Sequence, residues 1–303
     1  MTPGQLALTP VTAAARRLRS LIASSSPAAR DHLAAGIIGT FSFVQRERCL
    51  ANLRTVFYPL GWSEGKIRDL RRRHIAFLSR YLTAQILLPE RSPEELRDTI
   101  DLEGREHPAP DAPGGALFIG SHLGDPWLLR AGLSAFGYHV ANVSNRLPFR
   151  PLEEIFEDIR RRHSLTTVFV GSGATRTIDE TISRNGCFSL SFDIATPGRA
   201  SAAVPVPFGP AMMQIDLGPE TYVLSHNVPV YWATIRSSGG NRYSIGIEPL
   251  SIDRTLTPRE LAAAWADRLF RDLLTRPEEW WHWNNLRLLP RKPESGSSPH
   301  FQP

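Results

Sequence analysis

The chain has 303 residues, a formal net charge of +5 and 42% hydrophobic residues. This length and apolar content allow a sizeable buried core and exclude an intrinsically disordered chain. Two cysteines, Cys49 and Cys187, are too few for a disulfide scaffold or a thiolate zinc site, and they fit a reducing compartment. The positive charge is almost all arginine, since lysine occurs only at Lys66 and Lys292. Arginine suits partners that bear phosphate or carboxylate, although genome composition would explain the same bias.

The first hundred residues carry helical periodicity. Residues 46–57 and 63–88 place apolar side chains at spacings of three and four, and Ser63 suits an N-cap. Residues 13–44 could form amphipathic helices that either pack on the core or lie on a membrane surface. No run reaches the roughly 18 to 20 apolar residues of a spanning helix. We therefore expect a cytoplasmic protein, either free in solution or peripheral on the inner face of the plasma membrane.

Short apolar runs alternate with helical patterns from residue 116 onward. The predicted strands are residues 116–120, 139–143, 166–170, 187–192, 228–235 and 243–248. The predicted helices are residues 127–136, 152–162, 175–184 and 258–274, the last with Thr257 as its N-cap. This alternation predicts an α/β fold, in which a helical N-terminal part precedes a mostly parallel sheet flanked by helices. We expect one domain over residues 1–289, with its helical region at 1–100, and a disordered tail at 290–303.

The most informative stretch is residues 116–127, Ala-Leu-Phe-Ile-Gly-Ser-His-Leu-Gly-Asp-Pro-Trp. A strand is predicted to end near Gly120 and a helix to begin near Pro126, so His122 falls in a turn at the carboxyl end of a strand. Open α/β sheets bind their ligands at this edge. An imidazole there can act as a general base on a hydroxyl or an amine. This position favours catalysis over a purely structural role for His122.

Asp125 has two interpretations. It directly precedes Pro126 at a predicted helix start, which is the pattern of an N-cap followed by proline. It also lies three residues after His122, where its carboxylate could orient the imidazole. The pattern slightly favours the cap, and one carboxylate could partly serve both purposes.

Several short motifs, in their order and spacing, resemble the lysophospholipid acyltransferase superfamily and, within it, the bacterial lipid A late-acyltransferase branch. The resemblance runs from about residue 45 to 288, most of the chain. The segments that carry it are 52–57, 120–124, 145–146, 150–151, 160–163, Asp193, 206–209, 218–220 and 277–281. The position that the family's His-x4-Asp/Glu motif gives to a carboxylate is Trp127, so the motif is degenerate in this chain. The family's N-terminal membrane anchor is not evident.

The resemblance implies an acyltransferase in which His122 takes a proton from a hydroxyl or amine acceptor. The acceptor would attack an acyl thioester on an acyl carrier protein or coenzyme A, and backbone N–H groups near the turn would stabilise the oxyanion. The implied acceptor is a lipid or glycolipid. Asp125, Asp193 or a group of the substrate would replace the carboxylate that the degenerate motif lacks. No cofactor is implied, and the sequence shows no spacing typical of metal ligands.

Further candidate substrate contacts lie in loops after predicted strands or in family-like blocks. They are Gly124, Asn145, Arg146, Arg150, Asp193, Arg199, Phe208 and Gly209. The three arginines either bind a phosphate or are solvated surface residues. Phe208 and Gly209 either shape the acyl or acceptor pocket or form a core turn.

The same residues are compatible with two other functions. One is a soluble transferase of specialised metabolism that acylates a small amine or hydroxyl compound from an atypical donor. The other is a catalytically inactive homologue that acts as a binding protein. Nucleic acid is excluded as a partner, because no helix interleaves basic and aromatic residues. The arginine runs could instead dock an acidic carrier protein or anionic lipid headgroups.

Overall fold

A computed structural model describes residues 46–104, 108–110, 112–145, 150–170, 173–195 and 203–291, together with residues 25, 26, 29 and 36. For residues 150–152 it describes the backbone alone. The amphipathic helices expected within residues 13–44 therefore lie almost wholly outside the described residues, as does the tail from residue 292 onward.

Ten strands form in the described part of the chain, in two sheets. They are β1 (Ile100–Glu103), β2 (Ala116–Gly120), β3 (Val140–Ser144), β4 (Thr166–Phe169), β5 (Cys187–Ser191), β6 (Val204–Phe208), β7 (Ala211–Ile215), β8 (Val230–Gly239), β9 (Arg242–Pro249) and β10 (Leu289–Pro290). The large sheet has seven strands in the order β1-β9-β8-β2-β5-β3-β4. Its pairs are parallel except for β8 with β9. The predicted mostly parallel sheet is confirmed.

The eight α-helices of the described residues surround this sheet. They are α1 (Arg46–Phe57), α2 (Glu64–Leu87), α3 (Pro93–Thr99), α4 (Pro126–Ala135), α5 (Arg150–Arg162), α6 (Ala174–Ser183), α7 (Gly218–Ser225) and α8 (Pro258–Thr275). The predicted caps are confirmed, because the Ser63 side chain accepts from the N–H of Lys66 and the Thr257 side chain from that of Glu260. The short helices α3 and α7 were not predicted.

A second, three-stranded sheet in the order β10-β7-β6 was also missed. Pro205 and Pro207 lie within β6, and proline argues against a strand unless the strand is at an edge, as this one is. The expectation of a disordered tail from residue 290 is wrong at its start. Pro290 pairs with Ala211 of β7, and the N–H of Arg291 donates to the carbonyl of Pro210.

The large sheet separates two apolar cores, as the alternation of side chains along β2 shows. Leu117 and Ile119 belong to the core on one face, which also includes residues of α1, α8 and the small sheet. Ala116 and Phe118 belong to the core on the other face, with residues of α3 and α4. Both faces of β2 are therefore buried, which explains its continuous apolar sequence.

The buried side chain of Asn52 joins α1 to residues 279–288, which we call the C-terminal segment. Its Nδ2 donates to the carbonyls of Trp283 (2.9 Å) and Leu286 (2.7 Å), and its Oδ1 accepts from the N–H of Leu288 (2.9 Å). These three bonds fix the chain that follows residue 280 against α1. Among the described helices, none is both long enough and apolar enough to cross a bilayer.

Candidate active site

The turn between β2 and α4 carries His122, as the sequence predicts. The C-terminal segment runs alongside this turn, where the N–H of Trp281 donates to the carbonyl of His122 (3.0 Å). The N–H of Gly124 donates to the carbonyl of Glu279 (3.1 Å). Backbone hydrogen bonds on both sides of Leu123 thus hold the turn in place.

Gly124 must be glycine for a geometric reason. Its φ is +86°, a conformation that costs little only without a Cβ. A Cβ there would also lie 2.6 Å from the carbonyl oxygen of Ile235. The structure therefore gives this predicted substrate contact a role in shaping the His122 turn against β8.

The side chain of His122 is hydrogen-bonded to Asp193. The distance from its Nδ1 to Asp193 Oδ1 is 2.8 Å, and its backbone N–H donates to Asp193 Oδ2 (2.9 Å). A carboxylate can only accept here, so Nδ1 carries the proton and Nε2 is the basic nitrogen. The imidazole is 21% exposed, whereas Asp193 is fully buried. No described residue donates to or accepts from Nε2.

Asp193 is held in its ionised form. Burial alone would raise the pKa of its carboxyl, but the charge and hydrogen bond of His122, the nearby His282 and the Trp280 indole lower it to about 2. The Nε1 of Trp280 donates to Oδ2 at 2.9 Å. Asp193 can therefore stabilise an imidazolium throughout the neutral pH range.

Strand order brings this pair together across 71 residues. β2 and β5 are parallel neighbours in which Gly120 lies beside Ser191, and the N–H of Phe192 donates to the carbonyl of Gly120 (3.1 Å). Asp193 thus leaves the sheet beside the turn that holds His122. The sequence predicts Asp193 both as a substrate contact and as one of three groups that could replace the missing carboxylate, without deciding among them. The position of Asp193 after a predicted strand is a signal, but local patterns do not show which strands are neighbours.

Asp125 is the N-cap of α4, the interpretation that the sequence slightly favoured. Its Oδ1 accepts from the N–H groups of Trp127 (3.0 Å) and Leu128 (2.9 Å), and its Oδ2 accepts from Gln85 Nε2 (2.6 Å). Burial raises the pKa of this carboxyl to about 6, against the opposing effect of its hydrogen bonds and of Arg130. The prediction that Asp125 is the carboxylate partner of His122 is wrong, because Asp193 fills that place.

Phe208 and Gly209 lie in the core behind the dyad. The ring of Phe208 is fully buried, 5.0 Å from that of Trp280 and 5.2 Å from that of Phe270. A Cβ on Gly209 would meet the ring of Phe270 at 2.3 Å. Of the two interpretations of this turn, the structure bears out the core turn. Its aromatic rings support the indole that donates to Asp193.

The remaining candidate contacts are placed only in part. Asn145 follows β3 at the carboxyl edge and is partly buried. Arg150 begins α5, but its side chain is not described, and Arg146 and Arg199 lie outside the described residues.

Several of the predicted oxyanion donors are already in use. The backbone N–H of His122 donates to Asp193, that of Leu123 to the Ser121 hydroxyl (3.3 Å), and that of Gly124 to Glu279. The first N–H groups of α4 donate to Asp125. The expectation that backbone N–H groups of this turn stabilise an oxyanion is therefore wrong for these groups.

His282 is a buried imidazole that faces His122, with 4.5 Å between ring centroids. Neither of its nitrogens has a hydrogen-bond partner within the described residues. Burial, together with the charge of His122, lowers the pKa of His282 to about 3, so the ring is neutral.

Three side chains at this site form a group that could hold a metal ion. His122, Asp193 and His282 each offer one ligand atom, and these three atoms lie within 4.8 Å of one another. The carboxylate of Asp193, however, already accepts from His122 and from Trp280. A cation bound to it would have to displace these donors. The arrangement therefore fits a hydrogen-bonded dyad better than a metal centre.

No protein-family model matches the chain, and no curated protein matches it. The resemblance to acyltransferases rests on the motifs alone.

Proposed function

We propose that the protein is an acyltransferase in which the His122–Asp193 dyad is the general base. The observation that carries the proposal is the 2.8 Å hydrogen bond from His122 Nδ1 to a fully buried, ionised Asp193. A partly exposed imidazole held in this way presents a basic Nε2 at the carboxyl end of β2, the edge where such sheets bind substrates.

The reaction follows from this geometry. Nε2 takes the proton from a hydroxyl or amine acceptor, whose oxygen or nitrogen attacks the carbonyl carbon of an acyl thioester. Asp193 stabilises the imidazolium that forms, as the orienting carboxylate of a catalytic triad does. The C–S bond then breaks, and the departing thiolate takes the proton from Nε2. The products are the acylated acceptor and a free thiol, and His122 returns to its neutral form.

The donor and acceptor classes come from the resemblance. The donor is an acyl carrier protein or coenzyme A thioester, and the acceptor is a lipid or glycolipid at the inner face of the membrane. The dyad supports catalysis over a role as an inactive binding protein, because each donor and acceptor that general-base catalysis needs is in place.

Incubation with acyl thioesters and acceptor extracts, followed by mass spectrometry of the products, tests the proposal. Wild type should release free thiol together with an acylated acceptor, whereas His122→Ala should do neither. His226→Ala is the matched control, since this histidine ends α7 and stacks on Tyr222 instead of joining the dyad. Equal turnover by wild type and His122→Ala would refute the proposal. Acylation of small polar compounds alone would shift the acceptor class to the soluble alternative.

A further inference from the structure

Arg130 of α4 is a buried arginine with no acidic ion-pair partner within the described residues. The residue is only 5% exposed. The negative charge of Asp125 acts on it, but the oxygens of Asp125 already accept from Gln85 and from the first turn of α4. A buried guanidinium without an ion pair is costly, and it calls for an anion that completes the site.

The orientation of the guanidinium leaves one edge open. Nε donates to the Ser189 hydroxyl (3.3 Å) and Nη2 to the Ser191 hydroxyl (3.2 Å), while the carbon of the group lies 5.4 Å from the centre of the Trp127 ring. These contacts hold the Nε–Nη2 edge. Nη1 has no hydrogen-bond partner among the described residues. The Nη1–Nη2 edge therefore presents two parallel N–H groups, the geometry that binds carboxylate or phosphate.

This open edge lies close to the dyad. Ser191 pairs with Gly120 at the carboxyl ends of β5 and β2, and Asp193 follows two residues later. Two residues of chain span at most roughly 7 Å, and Asp193 lies in the bend that follows β5. The contact with Ser191 thus places the Arg130 guanidinium at the same end of the sheet as Asp193 and His122.

Tyr81 of α2 supplies a second donor on the same side of the turn, since Gln85, one helical turn further along α2, donates to Asp125 at the start of α4. Its ring lies 5.1 Å from that of Trp281, whose N–H donates to the carbonyl of His122. Its hydroxyl has no hydrogen-bond partner in the described part of the chain. Burial lowers the pKa of Arg130 to about 10, and the charge of Asp125 opposes this shift. Arg130 therefore stays protonated at neutral pH.

We propose that Arg130 and the Tyr81 hydroxyl form an anion-binding subsite beside the dyad, which holds a phosphate or carboxylate group of the substrate. As a statement about the substrate this rests on the proposed function, but anion binding itself does not. In the alternative, Arg130 has a purely structural role and only holds α4 against β5 through its hydrogen bonds to Ser189 and Ser191.

Titration of the purified protein with inorganic phosphate and, separately, with acetate tests the subsite without turnover. Saturable binding to wild type is expected, and the tighter of the two ligands identifies the anion class. Arg130→Gln should weaken binding roughly tenfold, the loss expected for one charged hydrogen-bonded contact. Tyr81→Phe should weaken it less. Arg268→Gln is the matched control, because Arg268 also lies over an indole, that of Trp232, but pairs with Glu248.

Three outcomes would overturn the proposal: no saturable binding of either anion to folded wild type, unchanged binding in Arg130→Gln, or an equal loss in Arg268→Gln. If Arg130→Gln does not fold, unchanged binding in Tyr81→Phe decides against it. His122→Ala should still bind phosphate, which separates failure of the subsite from failure of the proposed catalysis. With active enzyme, Arg130→Lys should raise KM for an anionic substrate more than it lowers kcat.

Discussion

Asp193 and Asp125 are two buried carboxylates beside the same turn, yet their surroundings favour opposite protonation states. The charge and donors of His122, His282 and Trp280 outweigh burial at Asp193 and lower the pKa of its carboxyl to about 2. At Asp125 burial prevails over neutral hydrogen-bond donors and the charge of Arg130, and the pKa rises to about 6. A histidine in direct contact, more than depth of burial, decides which carboxylate can serve a catalytic base.

The largest expected difference between the two aspartates is in catalysis. Asp193→Asn should lower kcat on the order of 10³ to 10⁴-fold, because a neutral amide neither stabilises the imidazolium nor fixes the Nδ1–H tautomer. Asp125→Asn should leave kcat close to wild type, since the cap does not touch His122. Turnover of one acyl thioester by both variants is the measurement. A greater loss in Asp125→Asn would reverse the roles that the structure assigns.

The two carboxylates should also affect stability with opposite signs of pH dependence. The folded pKa of Asp125 lies above its unfolded value of roughly 3.9, so its contribution falls as pH rises from about 4 to 6. The folded pKa of Asp193 lies below its unfolded value. The contribution of Asp193 to stability is therefore present above about pH 4 and is lost as pH falls towards 2. In urea unfolding, the free energy of unfolding of Asp125→Asn should rise relative to that of wild type by up to ~1 kcal/mol for each pH unit between pH 4 and 6.

The control for this pH series is Asp193→Asn, which should approach wild type in stability as pH falls below 4. Parallel pH curves for wild type and both variants would contradict the opposite assignments.

A smaller effect distinguishes the capping hydrogen bonds of Asp125 from its negative charge. Asp125→Ala should unfold with a free energy about 1 to 2 kcal/mol lower than Asp125→Asn, because only asparagine keeps an oxygen for the N–H groups of Trp127 and Leu128. Gln85 can turn its amide to accept from the asparagine, since its Oε1 lacks a partner in the described residues. Thermal or urea unfolding near pH 7 is the measurement, with Thr257→Ala of α8 as a matched loss of a cap. Equal stability of the two Asp125 variants would deny the cap.

No effect is expected from metal removal. Since His122 and Trp280 occupy the carboxylate of Asp193, dialysis against EDTA should leave acyl transfer unchanged. Loss of activity on chelation, restored by a divalent cation, would turn the grouping of His122, Asp193 and His282 into a metal centre.

Local sequence patterns predicted the features that depend only on neighbouring residues. The β2 strand, the His122 turn and the cap at Asp125 are encoded within twelve residues by an apolar run, two glycines and an Asp-Pro pair. Predicted helix bounds were within two residues of those observed, because caps and periodicity are properties of neighbouring residues.

The rest of the site depends on contacts between distant parts of the chain. The partner of His122 follows from β5 lying next to β2, and the donor Trp280 comes from a segment that Asn52 holds against α1. The prolines of β6 concealed the small sheet that supports this donor. Arg130 lies within a predicted helix, and nothing in the sequence indicates that its two partners are serines of β5.

The most direct test needs no substrate: ¹⁵N-edited NMR of the imidazole nitrogens of His122, assigned by comparison with His122→Ala. If Asp193 orients the base, the neutral ring carries its proton on Nδ1 and leaves Nε2 unprotonated, and Asp193→Asn, but not Asp125→Asn, disturbs this pattern. A neutral ring with its proton on Nε2, or one that Asp125→Asn alone alters, would contradict the dyad.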